Sequence, residues 1–424
     1  MNSKQQTTNR GTSPSHHFSS PCRKAFTGIE IVIAVAIVAV VTTMILVAAN
    51  VVSKSVKHNQ ADTNLQSICV ALEKYKAEFG EYPPDMLDDE DLVKHVKKRW
   101  PRFRLFDHKS MDSTLTPRQV TARHGNDIRE AISKYMETHR AGYASRGWMG
   151  TNWQMDLGRN DSFEAAQCAL VLWLGGLPDE EGKFRGFSAE PTAPFGKTVN
   201  VPPGNSTVVN NGGGGYPPTI DKFDEKTFLD LEIGKNVRLY RWEFEWPQST
   251  LPVLMDNSFG KEVPILYFKA TKGAGHLAYA NFIPSPKDPW WHERLDNANL
   301  WPPDPGGFWP KAVNFTHCHQ TTSEPVKEWF NYGNAVPYAK QGTIIGALFS
   351  SPTVEWFNPT SYQLIHPGED GKFGLVDLNY SVRGFRVLNG PLAPGADPRT
   401  GLQPEDLDNL TNFSNFKPLK TLLP

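Results

Sequence analysis

Four cysteines are too few to staple a chain of 424 residues, and they neither demand nor forbid an oxidising compartment. A surplus of charge of either sign is also missing, because Lys+Arg 44 against Asp+Glu 45 leaves a formal net charge of -1. With 39% hydrophobic and 21% charged residues, this balance excludes a wholly disordered chain and a bulk basic nucleic-acid binder. No Ser-His-Asp spacing, nucleophile elbow or zinc-protease helix occurs, so the sequence does not read as an enzyme. At about 100–200 residues per domain the length suggests two or three. Gly 34 and Pro 34 together are 16% of the chain, which predicts many turns and irregular loops.

Long apolar runs are absent except at one place. Residues 1–25 carry Lys4, Arg10, Arg23 and Lys24 with no acid, and the chain then runs apolar from Ile31 through Val41 and on to Ala49. From Phe26 to Ala49 a helix rising about 1.5 Å per residue reaches roughly 36 Å, enough for a bilayer core of about 30 Å. The positive charge ahead of the run places the N-terminus in the cytoplasm and everything after Ala49 across the membrane. A secretory signal would have a shorter apolar region; Ala48-Ala49 could serve as its small-residue cleavage site, but the run is too long and continues as helix without a turn signal. Glu30 sits instead at the mouth of the run, where a carboxylate needs a partner. The plainer alternative is a side chain that snorkels to the headgroups.

The stretch Arg23-Lys24-Ala25-Phe26-Thr27-Gly28-Ile29-Glu30, with its apolar continuation, resembles the class III leader and N-terminal helix of type IV pilins and type II secretion pseudopilins. The resemblance implies cleavage by a prepilin peptidase between Ala25 and Phe26, methylation of the new amine, and a filament in which Glu30 neutralises the amine of a neighbouring subunit. Ala25 stands where the family usually has Gly, and Gly28 where it has a Leu-type residue. Beyond the membrane, Ala61, Leu65, Ile68, Leu72, Tyr75 and Phe79 step by four and three, the stripe of a helix laid on a sheet. Gly80 and Tyr82-Pro83-Pro84 end it, and Leu72 to Pro83 resembles the helix end of major pseudopilins.

The rest of the head is long for that family. A helix is predicted over Asp85–Arg99 with Leu87, Leu92, Val93 and Val96 on one side. Another is predicted from Thr116-Pro117 through Ile128 and Tyr135, with Gly125 a candidate interruption, and a third over Phe163–Leu174, capped by Asp161-Ser162 and stopped by Gly175-Gly176. The phrase from Glu164 to Gly176 resembles a segment of long prepilin-like proteins. Strands are predicted over Val237–Phe244 and Val263–Lys269, with Pro264 suited to a strand start or edge. The glycine-rich Asn210–Gly215 reads as a loop, because no Lys-Ser/Thr follows it to hold a phosphate.

Two clusters compete for chemistry. Trp290, Trp291, Trp301 and Trp309, near His292, Glu293, Asp296 and Asp304, either pack a loop-rich region or stack on sugars beside carboxylates. His317-Cys318-His319 offers at most two metal ligands on one strand face. Near the C-terminus, Tyr362 to Asp377, with Gly368-Glu369-Asp370-Gly371, resembles the last strand and loop of major pseudopilins. That resemblance implies calcium bound through Glu369, Asp370 and Asp377, a hard cation on oxygen ligands. The alternative is an Asp-Gly turn without metal.

The expectation is an α+β protein with a long N-terminal transmembrane and amphipathic helix packed on a mostly antiparallel, pilin-like sheet, carrying a large loop-rich insertion. Its parts are a leader at 1–25, the helix at 26–84 with the span at 26–49, an elaborated region at 85–345, and the C-terminal part of the head at 346–424. The resemblance implies a subunit of a pilus or pseudopilus, single-pass in the inner membrane with its head outside the cytoplasm. Its partners would be the prepilin peptidase, other pilin or pseudopilin subunits and the secretion platform, with no nucleic acid. Cleavage would remove Cys22 and leave 40 Lys+Arg against 45 acids, a formal charge of -5. A membrane-anchored glycan-binding or hydrolytic head is the rival reading.

Overall fold

The computed structural model describes residues 27–103, 117–138, 162–197, 219–231, 252–270, 279–283, 355–373 and 407–422, with short strand segments at 237–239, 241–242, 307–310, 313–314, 318–319, 334–335, 337–341 and 386–387. The chain divides into two compact units, Met1–Val56 and Lys57–Pro424. The helix α1, Gly28–Phe79, contributes to both.

Within the second unit, α1 buries the stripe that its sequence period predicts. Ala61, Leu65, Ile68, Ala71, Leu72 and Tyr75 are buried, and Phe79 packs half-buried against the same core. Burial of Leu65, Ile68 and Leu72 contributes about 1.5–3 kcal/mol each relative to leaving them in water. The helix stops at Gly80, which takes φ 76 and donates its N–H to Lys76 O at 2.7 Å.

The next helix, α2, is Asp89–Arg99, shorter than the predicted Asp85–Arg99. Asp88 caps it, accepting from Glu90 N at 2.9 Å and Asp91 N at 3.3 Å. Asp85 lies ahead of the helix and is committed elsewhere, accepting from Leu87 N at 3.1 Å and from Lys269 N at 2.9 Å. Acids fill the first turn of α2 and Lys97, Lys98 and Arg99 the last, matching the helix dipole. The helix α3, Pro117–Thr138, runs through Gly125 without interruption. A Cβ there would collide with the Asp89 carboxylate, so the glycine permits the close approach of α2 and α3. Arg129 of α3 closes that contact, donating to Met86 O at 2.9 Å and to Asp89 Oδ1. The helix α4, Ser162–Gly175, is buried on all sides from Cys168 to Leu174, as a core helix without a polar face should be.

Among the described residues strand pairs are short and antiparallel, apart from one parallel pair that joins Tyr338–Gln341 to Arg386–Val387. One sheet joins β1 (Val237–Leu239), β2 (Pro252–Asp256) and β3 (Val263–Pro264). A second places β5 (Tyr362–His366) between β4 (Leu266–Lys269) and β6 (Leu410–Thr411). The predicted strand Val263–Lys269 thus divides at Ile265, its first part pairing with β2 and its second with β5. Pro264 has no N–H for a ladder, which suits a place where the strand changes partner. The predicted strand Val237–Phe244 also divides. Val237–Leu239 pairs with β2, Arg241–Trp242 pairs with Cys318–His319, and Phe244 lies outside the described residues. The described architecture is α+β, a long N-terminal apolar helix with small, mainly antiparallel sheets.

Candidate assembly helix and C-terminal turn

At the start of α1, Glu30 Oε2 accepts from Thr27 N at 2.9 Å and from Thr27 Oγ1 at 3.0 Å. Glu30 N in turn donates to Thr27 O at 3.0 Å. Thr27-x-x-Glu30 is the spacing of a capping box, and its Glu satisfies the N–H of the cap residue. Ala25 and Phe26 lie outside the described residues.

From Ile31 to Ser53 no side chain carries a charge. Every Ile, Val, Leu and Met from Ile29 to Val56 is between 48% and 69% exposed, so nothing among the described residues of this unit covers the apolar surface. The hydroxyl of Thr43 donates to Ala39 O at 2.8 Å, so that side chain is satisfied within the helix. Among the described residues α1 alone is long and apolar enough to cross a membrane.

The part of α1 in the second unit rests on buried polar groups as well as its apolar stripe. Tyr75 OH lies 2.7 Å from His95 Nε2, and His95 Nδ1 lies 3.0 Å from Glu81 Oε1. The hydrogen bond from His95, with the charges of Lys269 and Lys98, overcomes burial and holds the Glu81 carboxyl down at about 2. Burial pushes the His95 imidazole below its ordinary range. Lys269 Nζ joins both oxygens of Asp91, at 2.9 and 2.8 Å, and so ties β4 to α2. Arg99 stacks its guanidinium over Phe79 and Trp100, 4.2 and 4.4 Å from the ring centres.

A second buried group lies where β2, β5 and α1 meet. Asp256 Oδ1 accepts from Asn64 Nδ2 at 2.6 Å and Ser258 Oγ at 2.9 Å, while Oδ2 accepts from Ser258 N at 2.9 Å and faces His366 Nε2 at 3.1 Å. Burial alone would raise this carboxyl, but the hydrogen bonds from His366, Asn64 and Ser258 hold it at about 2. On the other edge of the ring, Gly368 N donates to His366 Nδ1 at 3.0 Å.

The turn after β5 carries the predicted metal residues Glu369 and Asp370. Glu369 is exposed and Asp370 half-buried. Asp370 Oδ1 accepts from Lys372 N at 2.7 Å, and Asp370 N donates to Asp408 Oδ2 at 2.9 Å. Asp408, which the sequence did not mark, presents a buried Oδ1 with no hydrogen-bond partner among the described residues. Against a cation stands Lys261 Nζ, 3.4 Å from Asp370 O. Asp377 lies outside the described residues, among which no three or more His, Cys, Asp or Glu are grouped to hold a metal. The described residues therefore do not by themselves form a calcium cage.

Trp290, Trp291, His292, Glu293, Asp296, Trp301, Asp304, His317 and the loop Asn210–Gly215 lie outside the described residues. Trp309 belongs to a strand opposite Asn281, and Cys318 and His319 to a strand opposite Trp242 and Arg241. Of the residues that sequence reasoning missed, Thr27 was signalled by its spacing from Glu30. Asn64, Asp256 and His366 had no such signal, because they meet only through the fold. No family model matches this chain, and no curated protein or solved structure matches it either.

Proposed function

We propose that this protein is a prepilin-like structural subunit of a type II secretion pseudopilus or type IV pilus-like filament. The observation that carries this reading is α1: one continuous helix, charge-free and uncovered from Ile31 to Ser53, with a single carboxylate in its first turn. An apolar surface of that extent requires a bilayer or other helices around it. Both covers belong to the reading, the membrane before assembly and neighbouring subunits after it.

Prepilin peptidase cleaves between Ala25 and Phe26, on the cytoplasmic side, and the head lies beyond the inner membrane, as the positive charges before the helix favour. Glu30 then neutralises the Phe26 amine of the next subunit inside the helix bundle. The secretion platform adds subunits from the membrane. The function is assembly, without a catalytic step. Calcium belongs to the same reading through the resemblance of the C-terminal turn, with Glu369, Asp370 and Asp377 as oxygen donors.

The replacement Glu30→Gln separates the two duties of that side chain. Gln at the third helical position still accepts from the Thr27 N–H, as capping boxes allow, but it carries no charge. Co-expressed with peptidase and platform, the wild-type chain gives a ladder of cross-linked multimers. Glu30→Gln loses the ladder while its head melts at the wild-type temperature. An equal ladder from both, or none from the wild type once it is cleaved, contradicts the proposal.

A further inference from the structure

His366 is completely buried, and the identity of its neighbours fixes where its proton sits. A backbone N–H can only donate, so Nδ1, facing Gly368 N at 3.0 Å, must be the unprotonated nitrogen. A carboxylate can only accept, so Nε2, facing Asp256 Oδ2 at 3.1 Å, must carry the hydrogen. The ring is thereby held neutral, in one tautomer, between two elements. On its Nε2 side Asp256 is bound through Asn64 to α1. On its Nδ1 side lies the turn Pro367–Gly371, which Asp408 grips at the far end through Asp370 N.

The turn has little freedom to compensate. Gly368 stands at φ 70, and a Cβ there would strike the backbone of Asp408. Among the described residues, Asp256 is the one charge that contacts the ring directly. The turn contributes Glu369 and Asp370, and the strand before it only the apolar Ile365, opposite Leu266 of β4. Leu410 of β6 is the strand partner of His366. The hairpin between β2 and β3 brings Phe259, 5.6 Å from the ring centre, together with Lys261 and Glu262. From α1 come Asn64 and His58, the latter meeting Phe259 edge-on at 4.9 Å between ring centres.

We propose that His366 is a pH-sensitive latch, which in its neutral form holds the C-terminal turn to the β2–α1 junction and on protonation lets go of the turn alone. A proton taken from solvent goes to Nδ1, the ring nitrogen whose lone pair accepts from Gly368 N. Two N–H groups then face each other where a hydrogen bond was, and the Gly368 amide must turn away. The Asp256 contact survives and becomes an ion pair, because the hydrogen bonds around Asp256 keep it ionised far below neutral pH. The change is therefore local: the turn opens while β5 stays in its sheet. The device does not depend on the filament reading, since it lies wholly in the head.

Hydrogen exchange of the full-length protein in detergent tests the latch, followed by mass spectrometry on peptides covering 364–373 and corrected for intrinsic pH dependence. In the wild type, exchange at Gly368–Gly371 rises roughly tenfold on acidification from pH 7.5 to pH 5, about the loss of one hydrogen bond to the ring, along a one-proton curve. His366→Gln keeps a donor toward Asp256 and has no group that takes up a proton in this range. Its turn exchanges at the same corrected rate at pH 7.5 and pH 5 and shows no midpoint. A flat wild-type profile, or a His366→Gln protein that retains the wild-type midpoint, overturns the proposal. Should His366→Gln fail to fold, the wild-type profile decides alone: a one-proton change confined to 367–372 supports the latch, and a change spread over the head rejects it.

Discussion

Asn64, on the polar flank of α1, donates its amide to the buried carboxylate of Asp256 across 2.6 Å, joining positions 192 residues apart. The same carboxylate holds Ser258 and His366. One side chain therefore fixes the helix, the β2–β3 hairpin and the strand that leads into the C-terminal turn.

Asp256→Ala removes the shared acceptor of Asn64 and strands buried donors on Ser258 and His366, at about 1–3 kcal/mol for each group left unmet. We expect the melting temperature of the full chain in detergent to fall steeply. Asn64→Leu should lower it much less, because Ser258 still satisfies Asp256 Oδ1. Equal losses in the two variants would show that Asp256 is not the hub.

Acid should weaken the head in two windows. The folded His95 imidazole lies below its ordinary value of 6.5, so the unfolded chain takes up this proton first. Its contribution is complete above that value and is lost as pH falls below it. The folded Glu81 carboxyl lies at about 2 against an ordinary 4.5, so its contribution is complete above 4.5 and disappears toward 2. Melting midpoints across pH 3–8 should show a first decline below about 6.5 that His95→Gln abolishes. A His95→Gln profile parallel to the wild type would contradict this assignment.

Two glycines with left-handed backbones should respond differently to alanine. Gly260 has φ 80 with nothing within 4 Å of an added Cβ, so only backbone strain of about 1–2 kcal/mol opposes it. Gly176 has φ 83, and its added Cβ would overlap the Gly186 backbone, which crosses it directly after α4. Gly176→Ala should add overpacking of about 1–3 kcal/mol to the same strain. Comparable unfolding midpoints for the two variants would refute the close crossing.

If the C-terminal turn takes calcium, adding it to chelator-treated protein should raise the melting temperature. Stabilisation would be about 2.7 kcal/mol at a hundredfold excess over Kd. Asp377→Asn should reduce that rise. A wild-type melting temperature indifferent to calcium would remove the ion from the account.

What was legible in the sequence was periodic or local. The stripe from Ala61 to Phe79 repeats at helical spacing, and Gly80 ends it, so the buried face of α1 could be read directly. The start of α2 could not. Asp85 and Asp88 look equally suited to a first turn, but Asp85 is taken by the backbone of Lys269, 184 residues away. Gly125 resembled a break because its missing side chain matters to Asp89 on another helix. The division of Val263–Lys269 between two sheets likewise depends on partners that the strand itself does not encode. At the candidate sites, Glu30 and the turn at Glu369–Asp370 were visible as short motifs. The cluster around Asp256 and His366 was not, because its members share no segment.

The central claim is that α1 is an assembly helix freed by processing. Intact mass and N-terminal sequencing of the membrane-extracted protein, with and without prepilin peptidase, test it most directly. The account predicts a chain that begins at methylated Phe26 when the peptidase is present and at Met1 when it is absent. A chain that keeps Met1 in both cases, or that is cut after Ala49, would contradict it.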